Sequence, residues 1–414
     1  MIKSLVFTFL FIIIKCQDSP CDQICTPQED CPEFLNKKQE FLSKYKRGQP
    51  GYEEALTKIK GWICNKKKKS VWCPPSDGCE EEFSSGWLPR KGECGLAPQG
   101  SLGRVVGGND TTIGQFPFTA LLGYPDRRQT GGREKTVYKC GGTLINHWYV
   151  LTAAHCQGKS TDSQISRVRL GEWDVGKDED CIKIDDTTRE CLDTPQDFSI
   201  RAEQVTIHEN YDKTTQSVVN DIALVKLDRP AVLNIGVQIV CLPVDKDEAA
   251  RELNLPDLDA GLTGKYPTVV GWGHKYNRDE GDFRICDVAS CVQQMLGVLV
   301  LSVGQFKEKW KGVDETHICA GGEQGKDSCR VIIVLILKYM INFNNLDAFQ
   351  GDSGGPLYLS KVAPSGHPEP NDINPVYLLG LVSFGSKFCG EGLPGVYTRV
   401  NSFVPWIEEK IGRN

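Results

Sequence analysis

A chain of 414 residues that is 40% hydrophobic holds enough apolar material for one large domain and a smaller one. Its net charge of −6 offers no basic face to a polyanion, which excludes nucleic acid as a partner. Eighteen cysteines point to an oxidising compartment and a disulfide framework, and because none are spaced CxxC, zinc does not account for them.

Lys3 followed by the apolar run from Leu5 to Ile14 reads as a secretory signal peptide, residues 1–16, cut after Cys16. The run is too short to cross a bilayer, which needs about 20 apolar residues, and no other stretch is longer, so no membrane partner is expected. Losing Cys16 leaves seventeen cysteines, an odd number, so one thiol is free or pairs with another molecule.

Residues 17–79 form a first block with cysteines at 21, 25, 31, 64, 73 and 79. A block this short cannot easily bury a core without crosslinks, which accounts for its cysteine density. Cys25-Thr-Pro-Gln-Glu-Asp-Cys31-Pro32, a Lys-rich helical-looking stretch, Cys64, and then Trp72-Cys73-Pro74-Pro75 resemble the arthropod clip domain, a module that precedes some proteases. That family ends in adjacent cysteines, and Trp72 stands in place of the first. Residues 80–104 are a linker rich in Gly, Ser and Pro.

From residue 105 to 414 the pattern is of short strands broken by Gly, Pro and Asn. They are expected at Thr136–Tyr138, Thr143–Ile145, Tyr149–Thr152, Arg167–Leu170, Ala223–Leu227, Thr268–Gly271, Tyr377–Ser383 and Gly395–Val400, with a single helix at Val404–Ile411. Such a series is all-β and suits two antiparallel barrels.

Three segments in this region carry chemistry: Leu151-Thr-Ala-Ala-His155-Cys156, Asn220-Asp221-Ile-Ala-Leu224, and Gly351-Asp352-Ser353-Gly354-Gly355-Pro356. A serine hydroxyl is a poor nucleophile at neutral pH, so it needs an imidazole to take its proton and an acid to fix the tautomer. In the order His, Asp, Ser, with Cys140 and Cys156 bracketing the histidine, these segments resemble the trypsin-like serine proteases of the chymotrypsin fold.

That resemblance implies two six-stranded antiparallel β-barrels and a C-terminal helix behind the clip-like domain. It makes His155, Asp221 and Ser353 catalytic, with the backbone N–H groups of Gly351 and Ser353 as the oxyanion hole. Arg104 followed by Val105-Val-Gly-Gly resembles a zymogen activation site, where cleavage frees the Val105 ammonium to pair with Asp352. Asp327 would floor the S1 pocket, with Ser383, Gly385 and Gly395 as walls, and favour Arg or Lys. The implied disulfides are Cys140–Cys156, Cys329–Cys389 and Cys94–Cys241, with Cys181 and Cys191 closing an acidic loop. Cys286 with Cys291 is a further pairing open to the chain, and Cys319 is left unmatched because Phe306 occupies its partner's position.

Asn109-Asp110-Thr111 is an N-glycosylation sequon. Glu172, Asp178, Glu179 and Asp180 offer oxygens suited to calcium, but the plainer reading is a solvated acidic loop with no cofactor.

One stretch departs from the family. Asp327-Ser328-Cys329 should run almost directly into Gly351, yet residues 331–350 intervene, beginning Val-Ile-Ile-Val-Leu-Ile-Leu. Removing them restores Asp-Ser-Cys-Arg-Gly-Asp-Ser-Gly-Gly. Valine codons begin with GT and glutamine can be CAG, so the ends suit the boundaries of a retained intron. The apolar run has the high β-propensity and zero charge of an aggregating strand.

The resemblance thus implies a secreted endopeptidase zymogen of an extracellular cascade, in a haemolymph-like fluid serving immunity, melanisation or clotting. Its partners would be an upstream trypsin-like activating protease, downstream zymogens as protein substrates, and a serpin inhibitor. The competing expectation is a catalytically silent homologue acting as a binding cofactor, its nucleophile loop broken by the extra segment.

Overall fold

The computed structural model of the chain describes residues 25–27, 63–65, 70–72, 87–89, 93–96, 109–126, 135–177, 179–183, 189–192, 195–213, 218–273, 291–310, 312–322, 352–361, 375–385 and 393–412. In the cysteine-rich block, Cys25–Pro27, Ser70–Trp72 and Ile63–Asn65 make a small antiparallel sheet with Ser70–Trp72 in the middle.

The larger domain is built on two antiparallel sheets. In the first, the order is Gln196–Ser199, Arg167–Leu170, Thr119–Asp126, Lys135–Leu144, Tyr149–Thr152, Ala223–Lys226 and Val205–Ile207. The two outermost segments follow one another in the chain across the 3₁₀ turn Ala202–Gln204, so they are one kinked strand and its continuity closes the barrel.

The second sheet has the order His317–Ala320, Gly395–Arg399, Val376–Phe384, Pro356–Ser360, Thr268–Gly271, Gln294–Gly297 and Asn109–Asp110. Beyond Gly297 the chain continues beside His317–Ala320, where Leu301 N–H donates to Cys319 O at 2.9 Å and Gly321 N–H to Leu299 O at 2.9 Å. That closes the second barrel, and Asn109–Asp110 is an added edge outside it.

Burial follows the alternation of each strand. In Arg167–Leu170, Val168 and Leu170 face the core while the two arginines face outward. Tyr149–Thr152 is buried throughout because its two faces feed two clusters: Val150 packs into one, Tyr149 and Leu151 into the other. The second cluster also receives Trp406, Ile407 and Ile411 from the buried face of helix Val404–Ile411, and Phe403 from the position just before it. Pro405 starts that helix and Gly412, at φ 86°, ends it in the left-handed region.

Strand bounds at Tyr149–Thr152, Arg167–Leu170 and Thr268–Gly271, and those of the terminal helix, match the expected ones. Two expectations change. Thr136–Tyr138 and Thr143-Leu144 belong to one strand, Lys135–Leu144, which runs through Gly141-Gly142 and stops one residue short of the expected Ile145. A Cβ on Gly141 would approach Gly355 Cα to 3.1 Å, so a close approach of backbones, not a turn, is what the glycine serves. The terminal helix is also not alone, since Lys246–Glu252 and Val303–Lys309 are helical. The first is started by Asp245, whose carboxylate accepts from Asp247 N–H and Glu248 N–H. Its charged run hides the two alanines, Ala249 and Ala250, that it buries. Among the described residues no helix is long and apolar enough to cross a membrane.

Candidate active site

Strand Tyr149–Thr152 runs into a single 3₁₀ turn, Ala154–Cys156, which lifts His155 to the rim of the first barrel. Cys156 is bonded to Cys140 on the neighbouring strand, so the turn is anchored at both ends. Asp221 precedes strand Ala223–Lys226, and the residue before it, Asn220, is left-handed at φ 55°. Asparagine tolerates that conformation, and Asn220 Nδ2 secures it by donating to Asn210 O at 2.8 Å.

The turn aims Asp221 inward to meet His155. His155 Nδ1 lies 2.8 Å from Asp221 Oδ2, and the backbone N–H of His155 donates to Oδ1 at 2.9 Å. The histidine side chain is 18% exposed and the aspartate 1%. The Ser383 hydroxyl donates to Asp221 Oδ2 as well, and Thr398 Oγ1 donates to the Asp221 carbonyl at 2.8 Å. Burial alone would push the Asp221 carboxyl up, but the His155 ring and the donors converging on the carboxylate outweigh it and hold it below its usual value. With Nδ1–H given to the carboxylate, Nε2 is left as the ring's proton acceptor.

Ser353 is buried in the loop that leads into strand Pro356–Ser360. That loop is pressed onto the histidine turn. Gly141 N–H donates to Ser353 O at 2.8 Å, and Gly354 N–H to Val382 O at 2.8 Å. Gly354 is left-handed at φ 69°, and a Cβ there would lie 2.2 Å from Thr152 Oγ1 and 2.9 Å from Cys156 Sγ. A ring nitrogen of His155 and the sulfurs of Cys140 and Cys156 lie within 4.8 Å of one another, but the sulfurs are bonded together and cannot ligate a metal as thiolates.

Asp352 is turned the other way. Its carboxylate rests between Gly271 and Gly273, where an added Cβ would come within 2.1 Å of Oδ1 or Oδ2 respectively, and Gly273 N–H donates to Oδ1 at 2.8 Å. Burial pushes this carboxyl up to about 6, against the pull of the single Gly273 hydrogen bond. The residue as a whole is half-buried; it is the carboxylate that is enclosed. The Gly-Trp-Gly triplet at 271–273 is a local sign of this close approach that motif reading passed over, and nothing local marks Thr398.

Of the other expected site residues, Ser383 is buried, Gly385 half-buried at the end of its strand, and Gly395 buried opposite Ala320. Disulfides join Cys94 to Cys241 and Cys181 to Cys191. Cys291 is disulfide-bonded, and Cys319 is a buried free thiol whose burial pushes it up to about 12. Asn109 lies in the added edge strand. Arg104, Val105, Asp327, Gly351, Cys329, Cys389 and the segment 331–350 lie outside the described residues.

The acidic loop departs from the expected solvated form. Glu172, Asp174 and Asp180 are buried, because cations and amides within the fold satisfy them. Arg169 donates to Glu172 Oε2 at 3.1 Å, Lys177 Nζ meets Asp174 Oδ2 at 2.6 Å, and Asp180 Oδ2 accepts from Trp173 N–H at 2.9 Å. Glu179 remains exposed. Even so, burial pushes the Glu172 carboxyl up to about 7, with the Asp180 carboxylate beside it adding to the rise.

The arrangement orients the His155 imidazole on a buried carboxylate and packs the Ser353 loop against the same turn. Comparison with known proteins agrees with it. The sequence model of the family described as Trypsin matches residues 105–330 and 338–407. The chain is 33% identical over 410 residues to "CLIP domain-containing serine protease B10" of Anopheles gambiae, covering 95% of this chain and 92% of that one. It is 32% identical over 392 residues to "Phenoloxidase-activating factor 3" of Holotrichia diomphalia, covering 94% and 90%. In fold it is similar to the Drosophila Grass clip serine protease of the Toll pathway, at 24% identity, with a TM-score of 0.56 over 95% of both chains. The chain belongs to the trypsin family of serine proteases, as a serine endopeptidase of the clip-domain kind.

Proposed function

We propose that the chain is made as a secreted zymogen that, once cut after Arg104, hydrolyses peptide bonds following Arg or Lys. The observation that carries this reading is the His155–Asp221 pair, with Nδ1 and Oδ2 2.8 Å apart and the Ser353 loop packed against the same turn. In the proposed reaction His155 Nε2 takes the Ser353 proton as Oγ bonds to the substrate carbonyl carbon. The same ring then delivers that proton to the leaving amine as the C–N bond breaks, and water releases the acyl group by the same steps. Gly351 and Ser353 N–H groups hold the oxyanion, each worth roughly 2.7–4 kcal/mol. Asp327 at the pocket floor, bridged nearby by Cys329–Cys389, selects the basic side chain, while Ser383, Gly385 and Gly395 shape the walls.

Residues 1–16 direct export, 17–79 form the clip-like module, 80–104 the linker, and 105–414 the protease. The family match passes over residues 331–337 and resumes at 338, which supports reading the apolar start of the segment 331–350 as foreign to the nucleophile loop. Relatives named for phenoloxidase activation and the Toll pathway support a place in an extracellular immune or melanisation cascade. In such a cascade a trypsin-like protease acts upstream, zymogens act downstream and a serpin terminates activity.

The test is hydrolysis of an arginyl chromogenic peptide by chain cut after Arg104. Loss of turnover in Ser353→Ala supports the proposal, and equal rates in the two proteins reject it.

A further inference from the structure

The segment that follows the proposed cleavage point is read by the acidic loop of the opposite barrel. Thr111 lies six residues beyond Val105. Its N–H donates to Gln293 O at 2.9 Å and its hydroxyl to Gln293 Oε1 at 3.0 Å, continuing the pairing of Asn109–Asp110 with Gln294 and Met295. The Trp173 indole N–H, from the loop after strand Arg167–Leu170, donates to Thr111 O at 3.0 Å and is 3.1 Å from Thr111 Oγ1.

Trp173 passes the contact on through its backbone. Its carbonyl accepts from Gln293 N–H at 2.9 Å and from the Trp272 indole N–H at 3.1 Å. Trp272 is 2% exposed and stands between Gly271 and Gly273, the two residues that enclose the Asp352 carboxylate. The backbone of Trp173 is itself clamped, since its N–H faces Glu172 Oε1 at 3.1 Å and Asp180 Oδ2 at 2.9 Å. Lys177 Nζ lies 5.5 Å from the centre of the Trp173 ring while paired to Asp174.

We infer that Trp173 and Trp272 are positioning residues that tie the segment freed by cleavage to the carboxylate of Asp352. Thr111 fixes the Trp173 side chain, the Trp173 carbonyl fixes the Trp272 ring, and that ring sets the Gly273 N–H that holds Asp352. The acidic loop, buried and held by Arg169, Lys177 and the Trp173 amide, is the post on which the relay turns. The inference rests on the activation reading proposed above.

The test uses full-length chain cut after Arg104 and follows cyanate carbamylation of the Val105 amino group by mass spectrometry, with hydrogen exchange at the Gly273 amide. Neither readout requires turnover. Trp173→Phe and Trp272→Phe keep an aromatic ring and remove the donor along with some ring volume, a loss that the Trp406→Phe control shares. Each is expected to speed Val105 labelling about tenfold, the scale of one lost hydrogen bond, and to speed exchange at Gly273. Where turnover is measurable, kcat per cut molecule falls with KM unchanged. Trp406→Phe, which removes the donor to Glu209 on the terminal helix, is the control and should alter neither readout. Protection of Val105 that is equal in wild type and both variants overturns the inference but leaves the activation reading intact. Equal acceleration in Trp406→Phe also overturns it. An unprotected Val105 amine in cut wild type sinks the activation reading and the inference with it.

Discussion

Asp221 Oδ2 accepts from two donors at once, His155 Nδ1 and the hydroxyl of Ser383, a residue 162 positions further along the chain. The carboxylate is therefore held from both barrels, since Ser383 comes from the second and His155 from the first. Ser383→Ala should lower kcat about tenfold with little change in KM, the scale of one hydrogen bond to a charged group. Asp221→Asn should cost roughly 10⁴-fold, because an amide cannot fix the same tautomer. Steady-state kinetics on an arginyl peptide check both, and an active Asp221→Asn protein would refute the assigned role.

Gly354 has no room for a side chain. Gly354→Ala combines a left-handed backbone with contact on Thr152 Oγ1 and Cys156 Sγ, so it should lower Tm and abolish active-site titration by a serine-directed reagent. Normal titration in this variant would mean that the loop packs elsewhere.

The segment before the proposed cleavage point is held by more than a disulfide. Leu88 is buried in the second core cluster, Asn146 Nδ2 donates to Trp87 O at 2.8 Å, and Gly95 exchanges backbone hydrogen bonds with Ile239 and Val376. Burying one leucine contributes roughly 1.5–3 kcal/mol. In protein cut after Arg104, replacing both Cys94 and Cys241 by Ala should leave the two chains associated on gel filtration. Adding Leu88→Asp should separate them.

Asp352 predicts opposite pH behaviour before and after cleavage. With Val105 still peptide-bonded, the enclosed carboxyl titrates near 6 instead of its ordinary 3.8, so the folded state binds the extra proton. That contribution to stability is fully present below the ordinary value and is lost as pH rises through about 6. The uncut chain should therefore lose Tm between about pH 4 and 6, and Asp352→Asn should flatten the slope. After cleavage the Val105 ammonium offsets the buried charge, so the cut form should gain on the uncut one across the same window. Calorimetry of both forms gives the comparison, and parallel curves would contradict it.

Deleting Val331–Gln350 joins Arg330 to Gly351 and returns the Cys329 brace to the neighbourhood of the oxyanion donors. Such a site must be held within about 0.5 Å to work, so the shortened protein should exceed the 414-residue chain in kcat/KM by at least about tenfold. Equal activity would show that the longer loop leaves the nucleophile in place.

Several elements were legible because their signals are local. Tyr149–Thr152, Arg167–Leu170 and the helix ending at Gly412 announce themselves by alternation, by punctuation and by a capping glycine. Others were hidden for the same reason. The helix Lys246–Glu252 reads as a charged surface run until its two alanines find a core. The strand through Gly141-Gly142 reads as a turn until Gly355 arrives beside it.

By itself the sequence determined which chemical groups this protein carries: an imidazole, a carboxylate and a hydroxyl, each in a short motif, with cysteines to brace them. Only the tertiary structure decided what surrounds those groups. It placed Ser383 and Thr398 on Asp221, enclosed Asp352 between two glycines, and made the acidic loop a buried post instead of a solvated one. The physical reason is that a motif is set by neighbours along the chain. Ser383 and Thr398 reach Asp221 from 162 and 177 positions away, and Gly273 reaches Asp352 from 79, so these partnerships form only when both barrels have closed.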